Sequence, residues 1–275
     1  MTEATRTGVA MAVALTVWAA PAFAGPIVFA PHRAVYDLSL DPKLAGADVP
    51  LISGRMVMEF AGSACAGYTS AVRFVTQSSN ARGRTEVTDS RSTTFESTDG
   101  FFKFDDQTYS NNRLVERATG AVTRGRDTAL VTLTRPADKS FTIGAGVAFP
   151  VEQLTTIIQA AIDGKRFLPL DVYDGADGGE TVYTTATVIG PPVEDDGAGD
   201  GGRIAQSGLA DLRSWPTTIS YYEKQGAGDM PSFVLSFVLY ENGIGRSLKI
   251  DQGDVVLVGV LSLLELLPAS TCASD

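Results

Sequence analysis

Apolar and polar residues alternate with period two along most of this chain. His32 to Leu40 (HRAVYDLSL) places Ala34, Tyr36, Leu38 and Leu40 on one face, with Arg33, Asp37 and Ser39 among the others. Gly54 to Ala61 (GRMVMEFA) repeats the pattern, with Met56, Met58 and Phe60 set against Arg55 and Glu59. Successive side chains of a strand point to opposite faces, so this period predicts half-buried strands. The same logic predicts strands over Tyr68 to Gln77, Arg84 to Ser97 and Phe101 to Tyr109, the last following an Asp99-Gly100 hairpin signal. Asn112 to Ala118, Ala121 to Gly125 and Thr128 to Thr134 complete the first half as three short strands.

The period then changes once. After Pro150, the apolar residues Leu154, Ile157, Ile158, Ala161 and Ile162 recur at i, i+3, i+4, i+7 and i+8, and Gly164 follows. That is one stripe of an α-helix with a start and a stop signal, of the kind that caps or plugs a sheet. Strands return over Arg166 to Tyr173, Glu180 to Gly190, Ser214 to Lys224, Ser232 to Tyr240, Gly245 to Gln252 and Val255 to Leu267. The final run is apolar at nearly every position and predicts a strand buried on both sides. Asp174 to Glu180 (DGADGGE) has glycines and acids without the alternate-position acids of an EF-hand, so a turn is expected rather than a calcium loop. Residues 191–202 (PPVEDDGAGDGG) have nothing to bury and predict a mobile acidic surface loop. The fold class expected is mainly β: a long antiparallel sheet with one or a few short helices packed against it.

The N-terminus follows another rule. Arg6 precedes the apolar run Val9 to Ala20, Pro21 breaks it, and Ala22-Phe23-Ala24 has the small-x-small form of a cleavage site. Residues 1–24 are expected to be a secretory signal peptide. The apolar run is shorter than the ~20 residues of a membrane-spanning helix, so no transmembrane span is expected after cleavage. Residues 25–275 then form a single domain of 275 − 24 = 251 residues.

Composition narrows the partners. The net charge of −10 repels phosphate backbones, and no basic stripe with interleaved aromatics is present, so nucleic-acid binding is not expected. The two cysteines, Cys65 and Cys272, lie far apart. In an exported protein they read as a disulfide, with two buried thiols as the alternative. A bridge would close 272 − 65 = 207 positions.

Candidate chemistry is sparse. His32 is the sole histidine, so a His/Cys metal site lacks partners, and no G-x-S-x-G elbow exists for a serine nucleophile. A Cys65–His32 dyad competes with the bridge for Cys65, and His32 reads better as a structural hydrogen-bonding group. Asp105-Asp106, Glu194-Asp195-Asp196 and Asp171 with Asp174 and Asp177 offer paired carboxylates. Glycosidase chemistry would need two of them facing across a cleft, whereas solvated turns account for such clusters more simply. Gly199 to Gly202 is glycine-rich, but its neighbours Asp195, Asp196 and Asp200 would repel phosphate. No cofactor is expected.

Several runs together resemble the EipB family of alphaproteobacterial cell-envelope integrity proteins. They are HRAVYDL (32–38), Gly54-Arg-Met-Val with Glu59-Phe60, GSACAGY (62–68) and DSRSTTF (89–95). Phe149-Pro150, YDGADGG (173–179), LYENG (239–243) and Leu264-Glu265 before Cys272 complete the set, which spans nearly the whole mature chain. The resemblance implies a periplasmic β-spiral with a few helices and a disulfide that maps onto Cys65 and Cys272. It also implies a role in envelope integrity, connected with a periplasmic tetratricopeptide-repeat protein. It carries no catalytic residues. The function expected is therefore non-enzymatic, through contacts with envelope proteins. The alternative is a carrier of a lipid or other apolar envelope ligand in a groove of the curved sheet.

Overall fold

In the computed structural model, described here for residues 27–44, 51–79, 83–194, 208–224 and 229–270, one antiparallel sheet of 14 strands accounts for most of the described residues. The first half supplies β1 (His32–Leu40), β2 (Leu51–Ser63), β3 (Gly67–Ser79), β4 (Thr85–Glu96), β5 (Phe101–Ser110), β6 (Arg113–Arg124), β7 (Thr128–Arg135) and β8 (Lys139–Gly144). After helix α1 (Pro150–Ile162) come β9 (Phe167–Val172), β10 (Tyr183–Ile189), β11 (Ser214–Glu223), β12 (Phe233–Tyr240), β13 (Gly245–Asp251) and β14 (Val256–Leu266). Each strand pairs with its neighbour in sequence, except where β1 pairs with β14. That pairing runs from His32 opposite Leu266 to Leu40 opposite Leu257 and joins two meanders into one sheet. β8 and β9 are the outer strands and do not pair with each other, so the curved sheet remains unclosed.

Curvature gives the sheet an inside, and α1 fills part of it. Ile157, Ile158, Ala160 and Ala161 of the helix pack with Phe60, Tyr68, Tyr183, Ile189, Trp215, Ile219 and Leu239, which come from both meanders. A second core gathers Phe102, Phe104, Val122, Val131 and Leu133 of β5–β7 with Val147 and Phe149 of the strap before α1 and with Tyr173 beyond β9. Contacts between segments far apart in sequence therefore hold the two meanders together where the sheet itself does not close. α1 ends on a left-handed Gly164 (φ 74°). Gly164 N–H donates to Ala161 O and Lys165 N–H to Ala160 O, which satisfies the last carbonyls of the helix.

The fold class agrees with the sequence pattern, while several details differ. Asn112 to Ala118 and Ala121 to Gly125 form one strand, β6, whose register with β7 shifts between Thr119 and Gly120 and leaves Thr134 of β7 unmatched. Gly120 is there because β7 and Phe104 leave no room for a side chain: an added Cβ would lie 2.7 Å from Thr132 O and 2.8 Å from the Phe104 ring. β8 has no counterpart among the expected strands, since its Lys139-Ser-Phe-Thr-Ile-Gly sequence is short, polar and largely exposed at the sheet edge. The last strand, β14, is buried on one face only. Val260 and Leu263 are 50% and 43% exposed, because they stand opposite Asp37 and Val35 on the outward face of β1. Asp174 to Glu180 is a turn, as expected, containing a short 3-10 segment at Asp177–Gly179. Residues 195–202 of the acidic loop lie outside the described residues; Val193, just before them, bridges to Ser214.

Candidate functional site

The concave side of the sheet carries two adjoining cavities separated by Phe29 and Val151, which line both. The first has a volume of about 230 Å³ and walls from both meanders. Met56, Met58 and Phe60 come from β2, Leu235, Phe237 and Leu239 from β12, and Pro150, Val151 and Leu154 from α1. These positions are apolar because period-two alternation on β2 and β12 aims every second side chain inward, where α1 places its own stripe. His32, Tyr36 and Arg246 add polar groups to the wall. The Tyr36 hydroxyl donates to Gly245 O at 2.6 Å.

His32 is 2% exposed. Its Nδ1 lies 2.7 Å from Ala30 O, and a carbonyl can only accept, so Nδ1 carries the proton. Nε2 is then an acceptor in the neutral ring. Burial favours that neutral form and lowers the pKa, partly opposed by the Ala30 hydrogen bond. Nε2 is shielded from solvent and has no hydrogen-bond partner among the described residues. The structural role expected of His32 therefore accounts for only one of its two nitrogens.

The second cavity is more polar than the first. Glu96, at the end of β4, is 8% exposed and accepts from Val151 N–H (2.7 Å) and Glu152 N–H (2.9 Å). It thus caps α1 from a distant strand, supplying what the local N-cap residue, Phe149, cannot. Arg124 holds Glu152 beside it, with Nη2 2.7 Å from Oε2, and its guanidinium stacks 4.5 Å from the Phe149 ring centre. Burial pushes the Glu96 carboxyl up to about 7 against the pull of the two N–H donors. A third polar cluster lies where the turn after β9 meets β5 and β6. Burial pushes Asp106 up to about 6, against a hydrogen bond from Ser92, and repulsion from Asp174, Glu116 and Asp177 adds to the rise.

Both shifts predict a pH dependence. A carboxyl whose folded pKa lies above its unfolded value, 4.5 for Glu96 and 3.8 for Asp106, contributes stability below the unfolded value. That contribution is lost as pH rises through 6 and 7. Asp89, hydrogen-bonded by Arg73 and Arg91 and held well below its ordinary range, has the opposite sign and matters only under strong acid. Buried His32, whose pKa is lowered, opposes this below its unfolded value of 6.5, so the melting temperature is expected to fall between about pH 6.5 and pH 8, and Glu96→Gln is expected to flatten that slope. Equal slopes in parent and variant would exclude Glu96 as the source.

The sequence-based candidates disperse. Cys65 lies in the three-residue turn between β2 and β3, its Sγ 3.2 Å from Ser63 Oγ, and Cys272 lies outside the described residues. Asp105 and Asp106 alternate along β5; Asp105 is engaged by Gln107, Arg117 and Thr119. Asp171 pairs with Lys224 and Thr184 rather than with Asp174 or Asp177. Asp195 and Asp196 lie outside the described residues. No group of three or more His, Cys, Asp or Glu suited to a metal ion is formed among the described residues. Sequence reasoning missed Glu96, for which the sequence holds no local signal: its partners are 55 and 56 positions away.

An open, curved antiparallel sheet of 14 strands wrapped on one helix, with an apolar cavity inside, defines a β-rich architecture shared with known proteins. The chain belongs to the EipB-like family, whose model matches residues 23–268. It is 34% identical over 247 residues to the cell envelope integrity protein EipB of Brucella abortus (strain 2308), covering 88% of this chain and 86% of that protein. The fold is similar to a crystal structure from Brucella abortus described as a beta-barrel-like protein of a domain of unknown function, DUF1849. The TM-score is 0.78 at 33% identity, over 88% of this chain and all of the other. Among the described residues, no helix is long and apolar enough to cross a membrane.

Proposed function

We propose that this protein supports cell-envelope integrity as a non-catalytic periplasmic factor that acts through contacts with other envelope proteins. The observation that carries the proposal is the likeness, over 88% of the chain, to a protein named for envelope integrity. In this reading residues 1–24 are removed on export and residues 25–275 act as one domain without a cofactor. The outer strands β8 and β9 leave backbone groups at the rims of the sheet that could pair with an added strand. A periplasmic tetratricopeptide-repeat protein, the partner that the family resemblance implies, is built of helical repeats and would dock by a face rather than as an added strand. A strain lacking the gene is expected to become sensitive to bile-salt detergent and to cell-wall antibiotics, and the parent gene to restore resistance. Unchanged sensitivity would overturn the envelope role. Crosslinking and pull-down that recover no envelope protein would overturn the role of protein contacts.

A Cys65–Cys272 disulfide fits this reading on the register of the sheet. β1 lies between β2 and β14, with His32 opposite both Phe60 and Leu266. From that level Cys65 is 65 − 60 = 5 residues onward and Cys272 is 272 − 266 = 6, in the same direction along parallel-running β2 and β14. Leu267 is still held to Pro31 O at 2.8 Å. Two strand spacings, roughly 10 Å, separate the two strands, within reach of a five-residue tail that spans up to ~17 Å.

The apolar cavity favours a second reading, in which the protein binds a lipid or another apolar envelope ligand. Mass spectrometry of organic extracts from gently purified protein is expected to detect a co-purifying ligand. A clean extract would count against tight binding.

A further inference from the structure

The two rims of the sheet do not offer the same groups to a partner. In an antiparallel ladder every second residue bonds to the neighbouring strand, and the residues between turn their N–H and C=O to the other side. On β9, Ile189 N–H donates to Arg166 O, so even-numbered residues bond to β10 and Phe167, Pro169 and Asp171 turn their backbone groups to the open rim. Pro169 has no N–H to give, and Asp171 O already accepts from Ala148 N–H at 2.9 Å. That rim is blocked, as the edges of natural sheets commonly are. On β8, Ala145 N–H donates to Asp127 O, so odd-numbered residues bond to β7 and Ser140, Thr142 and Gly144 turn outward. Gly144 O accepts from Val147 N–H. The N–H and C=O of Ser140 and Thr142 have no backbone partner among the described residues, and both residues are exposed.

The side chains narrow what this rim can take. Lys139, Phe141 and Ile143 share one face of β8, where Phe141 and Ile143 pack against the second core while remaining partly exposed. A strand added here would continue that core. Ser140 and Thr142, small and polar, lie on the other face. Lysine guards many sheet edges, but Lys139 is drawn to Glu180, with Nζ 5.8 Å from the centre of the Phe141 ring. We propose that β8 is a docking edge for an extended segment of another envelope protein, running antiparallel to it. The segment carries apolar residues opposite Phe141 and Ile143, small polar residues opposite Ser140 and Thr142, and an acid opposite Lys139. The inference rests on the protein-contact reading above and deepens it by naming the edge and the segment it takes. Backbone hydrogen bonds to Ser140 and Thr142 set the register, and the side chains between them give the selectivity. The acid follows from charge: Lys139 keeps half of its side chain exposed, and opposite charges across a strand pair attract. A second copy of β8 fits less well, since pairing through the same backbone groups would set Lys139 against Ile143.

The probe is a fluorescein-labelled, C-terminally amidated peptide, Thr-Val-Thr-Val-Thr-Glu-Thr. Its valines fall opposite Ile143 and Phe141 and its glutamate opposite Lys139. Fluorescence polarisation with the purified protein is expected to show saturable binding. N-methylation of the third and fifth residues removes the donors to Thr142 O and Ser140 O, and is expected to weaken binding at least about 10-fold. Thr142→Pro is expected to weaken it similarly, because it removes an N–H that does not bond to β7, whereas Thr142→Ala should bind as the parent does. Benzoylphenylalanine at the fourth residue should crosslink to β8. Undiminished binding of the N-methylated peptide would overturn strand pairing, and crosslinks to β9 would overturn the choice of rim. Equal binding when lysine replaces the glutamate would overturn the role of Lys139. A parent dimer in light scattering that Thr142→Pro dissolves would overturn the proposal in favour of a second copy. No binding would overturn it at β8, while the protein-contact reading would still stand or fall on crosslinking and pull-down. If Thr142→Pro fails to fold, the two peptides on the parent protein carry the test.

Discussion

Cys65→Ser, Cys272→Ser and the reduced parent are expected to melt at similar temperatures, roughly 10–20 °C below the oxidised parent. In the chain-entropy account, a bridge across 207 positions removes denatured-state freedom worth about 5 kcal/mol. For a chain of this length each kcal/mol moves the midpoint by about 2–4 °C. Measured disulfides often fall short of the entropic figure, so the lower end of the range is the more secure expectation. The effect should exceed that of a local staple because the proposed bridge would tie together strands at the central seam of the sheet. β1, β2 and β14 meet there, and among the described residues β1–β14 is the one strand pairing between the two meanders. Scanning calorimetry with and without reductant decides the matter. If both single variants and the reduced protein melt with the oxidised parent, the bridge is absent or carries no stability. A loss in the variants without a loss on reduction would point to packing at the cysteines instead.

Phe104→Ala is expected to cost about 3–5 kcal/mol, as large-to-small changes at buried aromatics do. Phe104 is almost wholly buried on β5. Its ring lies 5.8 Å from Phe102 and meets Tyr173 edge-on at 5.8 Å. It also supports the turn beyond β9: a Cβ added to Gly175 would lie 2.3 Å from the Phe104 ring, and Gly175 has φ 80°. The ring therefore fills the space between β5 of the first meander and the β9–β10 connection of the second, where no strand pairing closes the sheet. Removing it leaves a cavity in the second core and frees the turn. Gly175→Ala should also destabilise, for the opposite reason of too little room together with a left-handed backbone. Leu130→Ala, at a position 48% exposed, is the control and should change stability by less than about 0.5 kcal/mol. Urea unfolding monitored by fluorescence and circular dichroism measures all three. A loss for Phe104→Ala near that of the control would show that the two ends of the sheet are held by other contacts.

These two sites differ in how far the sequence reveals them. The alternation in HRAVYDLSL specifies which face of β1 turns inward, and the structure keeps Ala34, Tyr36 and Leu38 buried there. The single helical stripe is equally plain, because apolar residues on a 3.6-residue period over thirteen residues fit a helix and do not fit a strand. The cysteine pair is legible as a compartment signal, and its pairing remains a proposal. Phe104, by contrast, reads as one more inward residue of an alternating strand. Only its encounter with Gly175 and Tyr173 marks it as a link between distant segments. The apolar run of β14 misleads for a related reason. Hydrophobicity records how much surface tends to be buried, and here the outer half of that strand lies on an exposed face beside Arg33 and Glu265, which pair at 3.3 Å.

The candidate site divides in the same way. Met56, Met58, Phe60, Leu235 and Phe237 can be assigned to inward faces from alternation alone. Nothing in one dimension says that β2 and β12 face the same side of α1, because that depends on a sheet turning through fourteen strands. Glu96 has no local cue at all, since it caps a helix whose first accepted N–H lies 55 positions later. The sequence by itself determined the strand and helix periods, the side chains that turn inward and the family. Those are properties of neighbours along the chain, set by backbone geometry and the preference of apolar surface for burial. Tertiary structure alone decided which inward faces meet. It set a lone imidazole beside an apolar cavity with one nitrogen unmatched, and it left the sheet open, because only the folded chain brings residues 32, 58, 154 and 237 around a single cavity.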